Sequence, residues 1–355
     1  MPQIKYFQAI KEAQTQLMYK DKRVMIMGLG VNDPKGIFGT TKNLNKIFGN
    51  KRILETPTSE NAVTGIAIGA AIQGLRPILT HQRVEFSLLS IEQIINQAAK
   101  WYFMSGGESN TPIVIRLIIG KGWGQGPQHS QSLETLFSHI PGLKVVSPSN
   151  AHDAKGLLVS AVKDNGPVIF FEHRWLHNIY GEVPKKLYSI PIGKAKVVQN
   201  GKDITIVSFS EALIQVLRLK KILSGCGISA EIIDLRSLRP LDKSSIFRSV
   251  KKTKKILVVD NGWKSYGISA EIVSLVSEKL LSILKEKPIR LGIREIPIPS
   301  TRALAKNCYL NSESILKAVS KLTKIKIKNK IKKKYLNQLL LKETDIPYKD
   351  FQGPF

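Results

Sequence analysis

Short apolar, β-branched runs alternate with longer segments of helical period along most of the chain. "VMIMG" (24–28), "RPILT" (76–80), "PIVIRLIIG" (112–120), "KVV" (144–146) and "PVIFFEH" (167–173) read as buried strands, because a continuous apolar run bounded by turn residues has both faces covered. Between them, "LLSIEQIINQAAK" places Leu88, Ile91, Ile94, Ile95 and Ala98 on one helical face. "AHDAKGLLVSAVKDNGP" opens on Asn150 or His152 and closes on a turn, as an amphipathic helix does. This alternation predicts parallel sheets with helices on both faces. Beyond the Pro-containing link 181–194, "DITIVSFS", "SAEIIDLRSL" and "KKILVVDNG" predict three further strands, and "SYGISAEIVSLVSEKLL" a long amphipathic helix. The expected architecture is α/β: two parallel-sheet domains, over residues 1–185 and 186–325, and a basic C-terminal arm over 326–355.

The totals narrow this picture. A chain of 355 residues can build two domains with separate cores, and 43% apolar with 23% charged residues excludes a disordered chain. Cys226 and Cys308 lack metal-ligand spacing, which argues against a disulfide scaffold and for buried small hydrophobes in a reducing compartment. With no signal-like start and no run of 18 apolar residues, a cytoplasmic protein that does not enter a membrane is expected. The formal charge of +27 suits an acidic partner. Yet the lysines are spread along the chain with few aromatics beside them, and they peak in "KLTKIKIKNKIKKK" (321–334), so a solvated surface is expected rather than a nucleic-acid face.

Candidate chemistry begins at "ETPTSENAVTGIAIGAAIQG" (55–74), where Glu60 heads a small, glycine-spaced apolar helix. Glu60 reads either as a first-turn acid beside a Thr58 or Ser59 cap, favoured by the helix dipole, or as a desolvated acid whose raised pKa lets it share a proton near neutrality. Gly65, Gly69 and Gly74 permit close approach of another helix. "GKGWGQGPQHSQS" lacks the ending of a phosphate loop, but as a mobile loop it can deliver His129 to a site; a plain surface loop fits equally well. "HQRVEF" (81–86) and "FEHRWLHNIYG" (171–181) follow strands, where open α/β sheets bind ligands, and their histidines show no zinc spacing.

Together, "RILETPTSENAVTGIAIGAAIQGLRPI", "EQIINQAAKWYFMSGG", "GPQHSQSLETLFSHIPGLKVVSPSNAHDAKGLLVSAVKDNGPVIF" and "IIDLRSLRPLD" resemble the β subunit of the thiamine-diphosphate-dependent component of pyruvate and branched-chain 2-oxo acid dehydrogenases, over about residues 3–322. The resemblance implies a pyrimidine-binding domain, then a transketolase-type C-terminal domain, in an α2β2 assembly. On that likeness Glu60 is the catalytic acid that bonds the pyrimidine ring nitrogen of the cofactor. Phe86 packs on the aminopyrimidine with Gln82 beside it, and His129 stands near the reacting carbon and the incoming lipoyl group. The family's monovalent-cation loop, if retained, uses the backbone carbonyls of Ile113, Ala161, Asp164 and Gly166, with K+ as its ion. The Gly-Asp-Gly segment that holds the diphosphate and Mg2+ is missing, which implies that an α chain supplies that half of the site.

Two departures from the family pattern stand out. Leu29 follows Gly28 where an acid is usual, and "THQRVEF" replaces an acid, a hydrophobe and Thr. His81 and Arg83 become substrate candidates and point to a more polar or anionic substrate than pyruvate. The expected function is therefore decarboxylation of a 2-oxo acid with acyl transfer to a lipoyl domain, possible partners being an α subunit and a lipoyl acyltransferase core. The alternatives are a two-chain carboligase or decarboxylase without a lipoyl acceptor, and a basic scaffold protein.

Overall fold

The computed structural model describes residues 1–336; the outer part of the expected arm, 337–355, lies outside the described residues. Fourteen strands occur in this range: β1 (Gln3–Lys5), β2 (Val24–Gly28), β3 (Ile53–Glu55), β4 (Arg76–His81), β5 (Val114–Ile119), β6 (Lys144–Val146), β7 (Val168–His173), β8 (Tyr180–Glu182), β9 (Lys196–Gln199), β10 (Ile204–Ser208), β11 (Ala230–Asp234), β12 (Ser237–Arg239), β13 (Ile256–Trp263) and β14 (Ile289–Ile293). Seven form one sheet in the order β12-β6-β7-β5-β4-β2-β3, and five form a second in the order β14-β13-β10-β11-β9. Both are parallel except at one edge, where β12 runs antiparallel to β6 and β9 antiparallel to β11. β1 and β8 make a separate antiparallel ribbon.

The apolar runs became strands because helices cover both faces of each sheet. On one face of the first sheet, helices Tyr6–Lys20 and Ala151–Lys163 pack Ile10, Leu17, Leu157 and Leu158 against Ile26, Val114 and Phe170. Asn150 rather than His152 caps the second of these, its side chain accepting from the Asp153 amide. The other face does not carry a private core. Its apolar cluster runs from Ala67, Leu79 and Phe171 into Leu235, Leu238, Val258 and Ile272 of the second half. Each half also has a core of its own, around Ile10 and Phe170 in the first and around Leu213 and Ile315 in the second; β12, from the second half of the sequence, crosses to the first sheet and draws Leu238 with it, so the halves share a further buried apolar cluster.

The segment after β4 also departs from expectation. Instead of one amphipathic helix it folds as a 3-10 turn, Val84–Ser90, followed by a π-helical turn, Gln93–Ala98. The changes of winding break the i, i+4 register, so Ile94 and Ala98 are buried while Leu88 is 38% exposed. Asn329–Leu336, the start of the basic arm, is a helix whose Ile331 meets Gly225, so this part of the arm rests on the second domain. Both cysteines are free and buried. Among the described residues no helix is long and apolar enough to cross a membrane.

Strand order sets the location of any ligand site. From β2 the chain crosses to β3 on one side, and from β4 it crosses to β5 on the other, so the adjacent pair β2 and β4 forms the topological switch point. Connections diverge there and leave a crevice beyond the C-terminal strand ends.

Candidate active site

A cavity lies at that crevice. It is lined by Gly28 and Leu29 after β2, by Leu79, Thr80, His81 and Gln82 at the end of β4, by Thr56, Pro57, Glu60 and Val63 around the start of helix Glu60–Ile72, and by Phe86. Glu60 is the first residue of its helix. Ser59 occupies the cap position, but its side chain makes no capping bond. The Glu60 carboxyl accepts no hydrogen bond from the described residues and is only half-buried. The apolar enclosure expected for it is therefore not supplied by this chain alone: Val63 and Leu79 back it, and its outer side is open.

The mouth of the cavity is held by polar contacts. Gln82 Nε2 donates to Leu29 O at 2.6 Å, which fixes the loop after β2 against the end of β4. Gly30 turns with φ +78, and an added Cβ there would lie 2.4 Å from the same Gln82 nitrogen, so a side chain at 30 would displace this tie. The Glu55 carboxylate accepts from the amides of Gly30 (2.5 Å) and Asn32 (2.9 Å). His81 is buried with Nε2 3.4 Å from Thr64 Oγ1, and burial lowers its pKa to about 4, so it lines the cavity as a neutral imidazole.

His129 reaches this site from the glycine loop. Its ring meets that of Phe86 edge-on, 5.6 Å between centroids, and its Nδ1 lies 4.0 Å from Glu85 Oε2. Glu85 Oε1 accepts from the Gln131 amide at 3.2 Å and so tethers the loop just past His129. Burial raises the Glu85 pKa. Glu85 was visible in "HQRVEF" without an assigned role, since nothing local ties position 85 to position 129.

The loop is also anchored from the second domain. Lys121 Nζ bonds Glu211 at 2.7 Å and lies 4.8 Å and 5.3 Å from the rings of Trp175 and Tyr309, while the Gly122 amide donates to Tyr309 Oη. Around this anchor, Arg236 grips Asp153 through two bonds, of 2.8 and 2.7 Å, and Asp260 accepts from the amides of Gly262 and Ser269. Glu134 is fully buried beside this region with one carboxyl oxygen unbonded, and burial, with the Asp260 charge, pushes its pKa up to about 8.

The structure thus brings Glu60, Gln82, His81 and Phe86 to one cavity and His129 to its edge. Arg83 does not line it; its side chain turns toward Gly120 and Phe38. Ile113, Ala161, Asp164 and Gly166 lie before the starts of β5 and β7, at the opposite end of the parallel sheet. There Ile113 O accepts from the Val168 amide, Ala161 O from the Asp164 amide, and Asp164 O from Arg76.

Fold and site together define a protein of the transketolase type. The family model for the transketolase pyrimidine binding domain matches residues 2–178, and that for the transketolase C-terminal domain matches 193–315. A solved structure titled split gene transketolase, inactive beta4 tetramer, superposes with a TM-score of 0.74 over 90% of this chain and 98% of that one, at 20% identity. The pyruvate dehydrogenase E1 component subunit beta of Porphyra purpurea is 42% identical over 90% of this chain and 96% of its own length. The human mitochondrial subunit is 38% identical over 88% and 89%. The chain belongs to this family of thiamine-diphosphate-dependent E1 β subunits. The acetoin:2,6-dichlorophenolindophenol oxidoreductase subunit beta of Cupriavidus necator is 40% identical over 89% and 96%.

Proposed function

We propose that the chain is the β half of a thiamine-diphosphate-dependent 2-oxo acid dehydrogenase of the pyruvate dehydrogenase type, active with an α chain, that decarboxylates a 2-oxo acid and passes the acyl group to a lipoyl domain. The observation that carries this reading is the Glu60 carboxyl, unbonded and half-buried at the switch-point cavity, with the 38% exposed ring of Phe86 beside it. This arrangement fits a flat, nitrogen-bearing ring stacked on Phe86 and hydrogen-bonded by Glu60. When bound, thiamine diphosphate supplies the nucleophilic carbon and the electron sink that decarboxylation requires. The protein's own part is narrower. Glu60 would hydrogen-bond the ring nitrogen, Phe86 would orient the ring, Gln82 keeps the Leu29 loop in place, and His129, with Glu85 4.0 Å from its Nδ1, would exchange a proton with the reacting oxygen.

An α chain is part of the proposal because half the site is absent from this sequence. No Gly-Asp-Gly segment with a paired-Asn motif is present for the diphosphate and its Mg2+, so the α chain is assigned that role. The outer face of helix Glu60–Ile72 supports such a partner: Ile66 is 62% exposed, and nothing lies within 4 Å of a Cβ placed on Gly69. A partner on that face also closes the open side of Glu60. Nearby Tyr102, Phe103 and Met104 are 56%, 88% and 59% exposed, more apolar surface than an isolated protein usually leaves in one stretch. K+ at the distal carbonyls fits as a structural ion, sharing Asp164 O with Arg76 through the second lone pair of that oxygen.

A second reading, a two-chain enzyme of the same cofactor without a lipoyl acceptor, is favoured by the acetoin-acting relative. Incubating the chain with an α chain, thiamine diphosphate, Mg2+, a 2-oxo acid and a lipoyl domain separates the two. Acyl-lipoyl product supports the first, ketol without acyl-lipoyl supports the second, and absence of decarboxylation rejects both.

A further inference from the structure

Glu85 stands in the turn after β4 and His129 in the glycine loop after β5, and the fold sets the two side chains face to face beside Phe86. Glu85 Oε2 and His129 Nδ1 are both buried, and neither has a hydrogen-bond partner. They lie 4.0 Å apart. An unpaired carboxylate oxygen and an unpaired ring nitrogen each carry a desolvation cost, and one hydrogen bond between them removes both.

The remaining atoms of the pair are already held. Glu85 Oε1 accepts from the Gln131 amide at 3.2 Å, which ties the carboxylate to the loop just beyond His129. The His129 ring stands edge-on to Phe86, with 5.6 Å between centroids. The Glu85 side chain is 9% exposed and that of His129 38%, so the acid is the inner member and the ring keeps an open edge. With Nδ1 turned inward, Nε2 is the ring nitrogen that can meet a ligand. Burial raises the Glu85 pKa, while the Gln131 amide and the Arg83 charge favour its ionised form. An ionised carboxylate only accepts, so the proton between the two residues belongs on Nδ1.

Closing the pair to bonding distance takes a movement of about 1 Å. The loop turns through positive φ at Gly124 and Gly126, just before His129, and a backbone of that kind can make so small a shift. Hydrogen bonds of catalytic groups are commonly long in the free protein and tighten when a ligand enters.

We propose that Glu85 is the positioning residue of His129: it accepts Nδ1–H, holds the ring as that tautomer and leaves the Nε2 lone pair toward the cavity, where it takes a proton from a ligand hydroxyl. The imidazolium that forms is stabilised by the Glu85 charge and returns the proton from the same nitrogen, so the carboxylate itself stays ionised throughout. The catalytic consequence rests on the function proposed above; the tautomer does not.

The test is nitrogen NMR of the full chain carrying isotope-labelled histidine, at a pH where histidine side chains are neutral, with His129 identified by the signals lost in His129→Gln. A histidine side chain free in water favours the Nε2–H form, so Nδ1–H at His129 is the expected mark of Glu85. Glu85→Gln keeps an oxygen for the Gln131 amide but turns an NH2 donor to Nδ1, and His129 should switch to Nε2–H. In the assembled enzyme the same variant should lower kcat at least tenfold with KM within twofold, a split that a merely structural tether does not produce together with the tautomer change. Nε2–H in the native chain, a tautomer unaltered by the substitution, or a variant kcat within twofold of an active native assembly would overturn the proposal. If Glu85→Gln does not fold, the native chain decides alone: Nδ1–H supports the pairing and Nε2–H refutes it. The tautomer measurement needs neither thiamine diphosphate nor an α chain, so failure here is distinguishable from failure of the proposed reaction.

Discussion

At the C-terminal ends of β2 and β4 the chain leaves Glu60, Phe86 and His129 half-buried or exposed, with the Glu60 carboxyl unbonded by the described residues. At the corresponding ends of the second sheet the acids are buried and already engaged. Glu211 takes Lys121, Asp234 takes the Ser149 hydroxyl and the Arg236 amide, and Asp260 takes two backbone amides. Both are ends of largely parallel sheets with similar strand chemistry. The difference is in what engages their acids: in the second sheet other groups of the same chain, in the first, on the function proposed above, an external ligand and partner. Similar architecture thus becomes a clamp in one half and the proposed reaction site in the other.

The largest expected effect lies in the reaction site. Glu60→Gln keeps the size of the side chain but removes the shared proton, so turnover of the assembled enzyme should fall by roughly 10²–10⁴, the usual worth of positioned acid–base catalysis. The thermal midpoint of the chain should be unchanged, because nothing in the described structure leans on that carboxyl. A large loss of stability in this variant would show that the two sheet ends do not divide their roles as described.

The clamp should respond in the opposite way. Lys121→Met leaves Glu211 buried without its cation, and breaking a buried pair from one side costs about 3–5 kcal/mol. Urea denaturation of the variant should show that loss. A change below about 1 kcal/mol would mean that the contacts of Lys121 with Trp175 and Tyr309 are ornamental, and with them the anchor of the glycine loop.

A subtler contrast comes from Glu134, the deeply buried acid beside the clamp. Its pKa is raised in the folded chain to about 8 from an ordinary 4.5. The folded state therefore holds a proton that the unfolded chain releases. The stability tied to this group is complete below about pH 4.5 and declines as pH rises toward 8, with a slope approaching 1.4 kcal/mol per pH unit. Glu134→Gln should remove that slope, so that the variant gains on the native protein as pH rises through this window. Parallel stability curves for the two proteins would place the proton elsewhere.

Much of this was legible in the chain itself. "VMIMG" and "PVIFFEH" became β2 and β7 because a buried parallel strand is an apolar run of limited length, and the Asn150 helix followed its period. The resemblance points to Glu60, Phe86 and His129, and the fold brings the first two to one cavity with His129 at its edge. The less visible parts depended on departures from local rules. The π turn after β4 broke a helical face, and β12 read as a continuation of its neighbour before it crossed to the other sheet.

By itself the sequence determined most of the strands and helices, since period and residue type act over a few neighbouring positions, and its resemblance to a known family implied half of a thiamine site. Only the tertiary structure decided that Glu60 stands open on its outer side, that Glu85 stands behind His129, and that Arg83 turns from the cavity to share Phe38 with Arg174. Those outcomes depend on strand order and on which loops close over which strand ends, and the free energy that selects them comes from contacts between residues far apart in the chain.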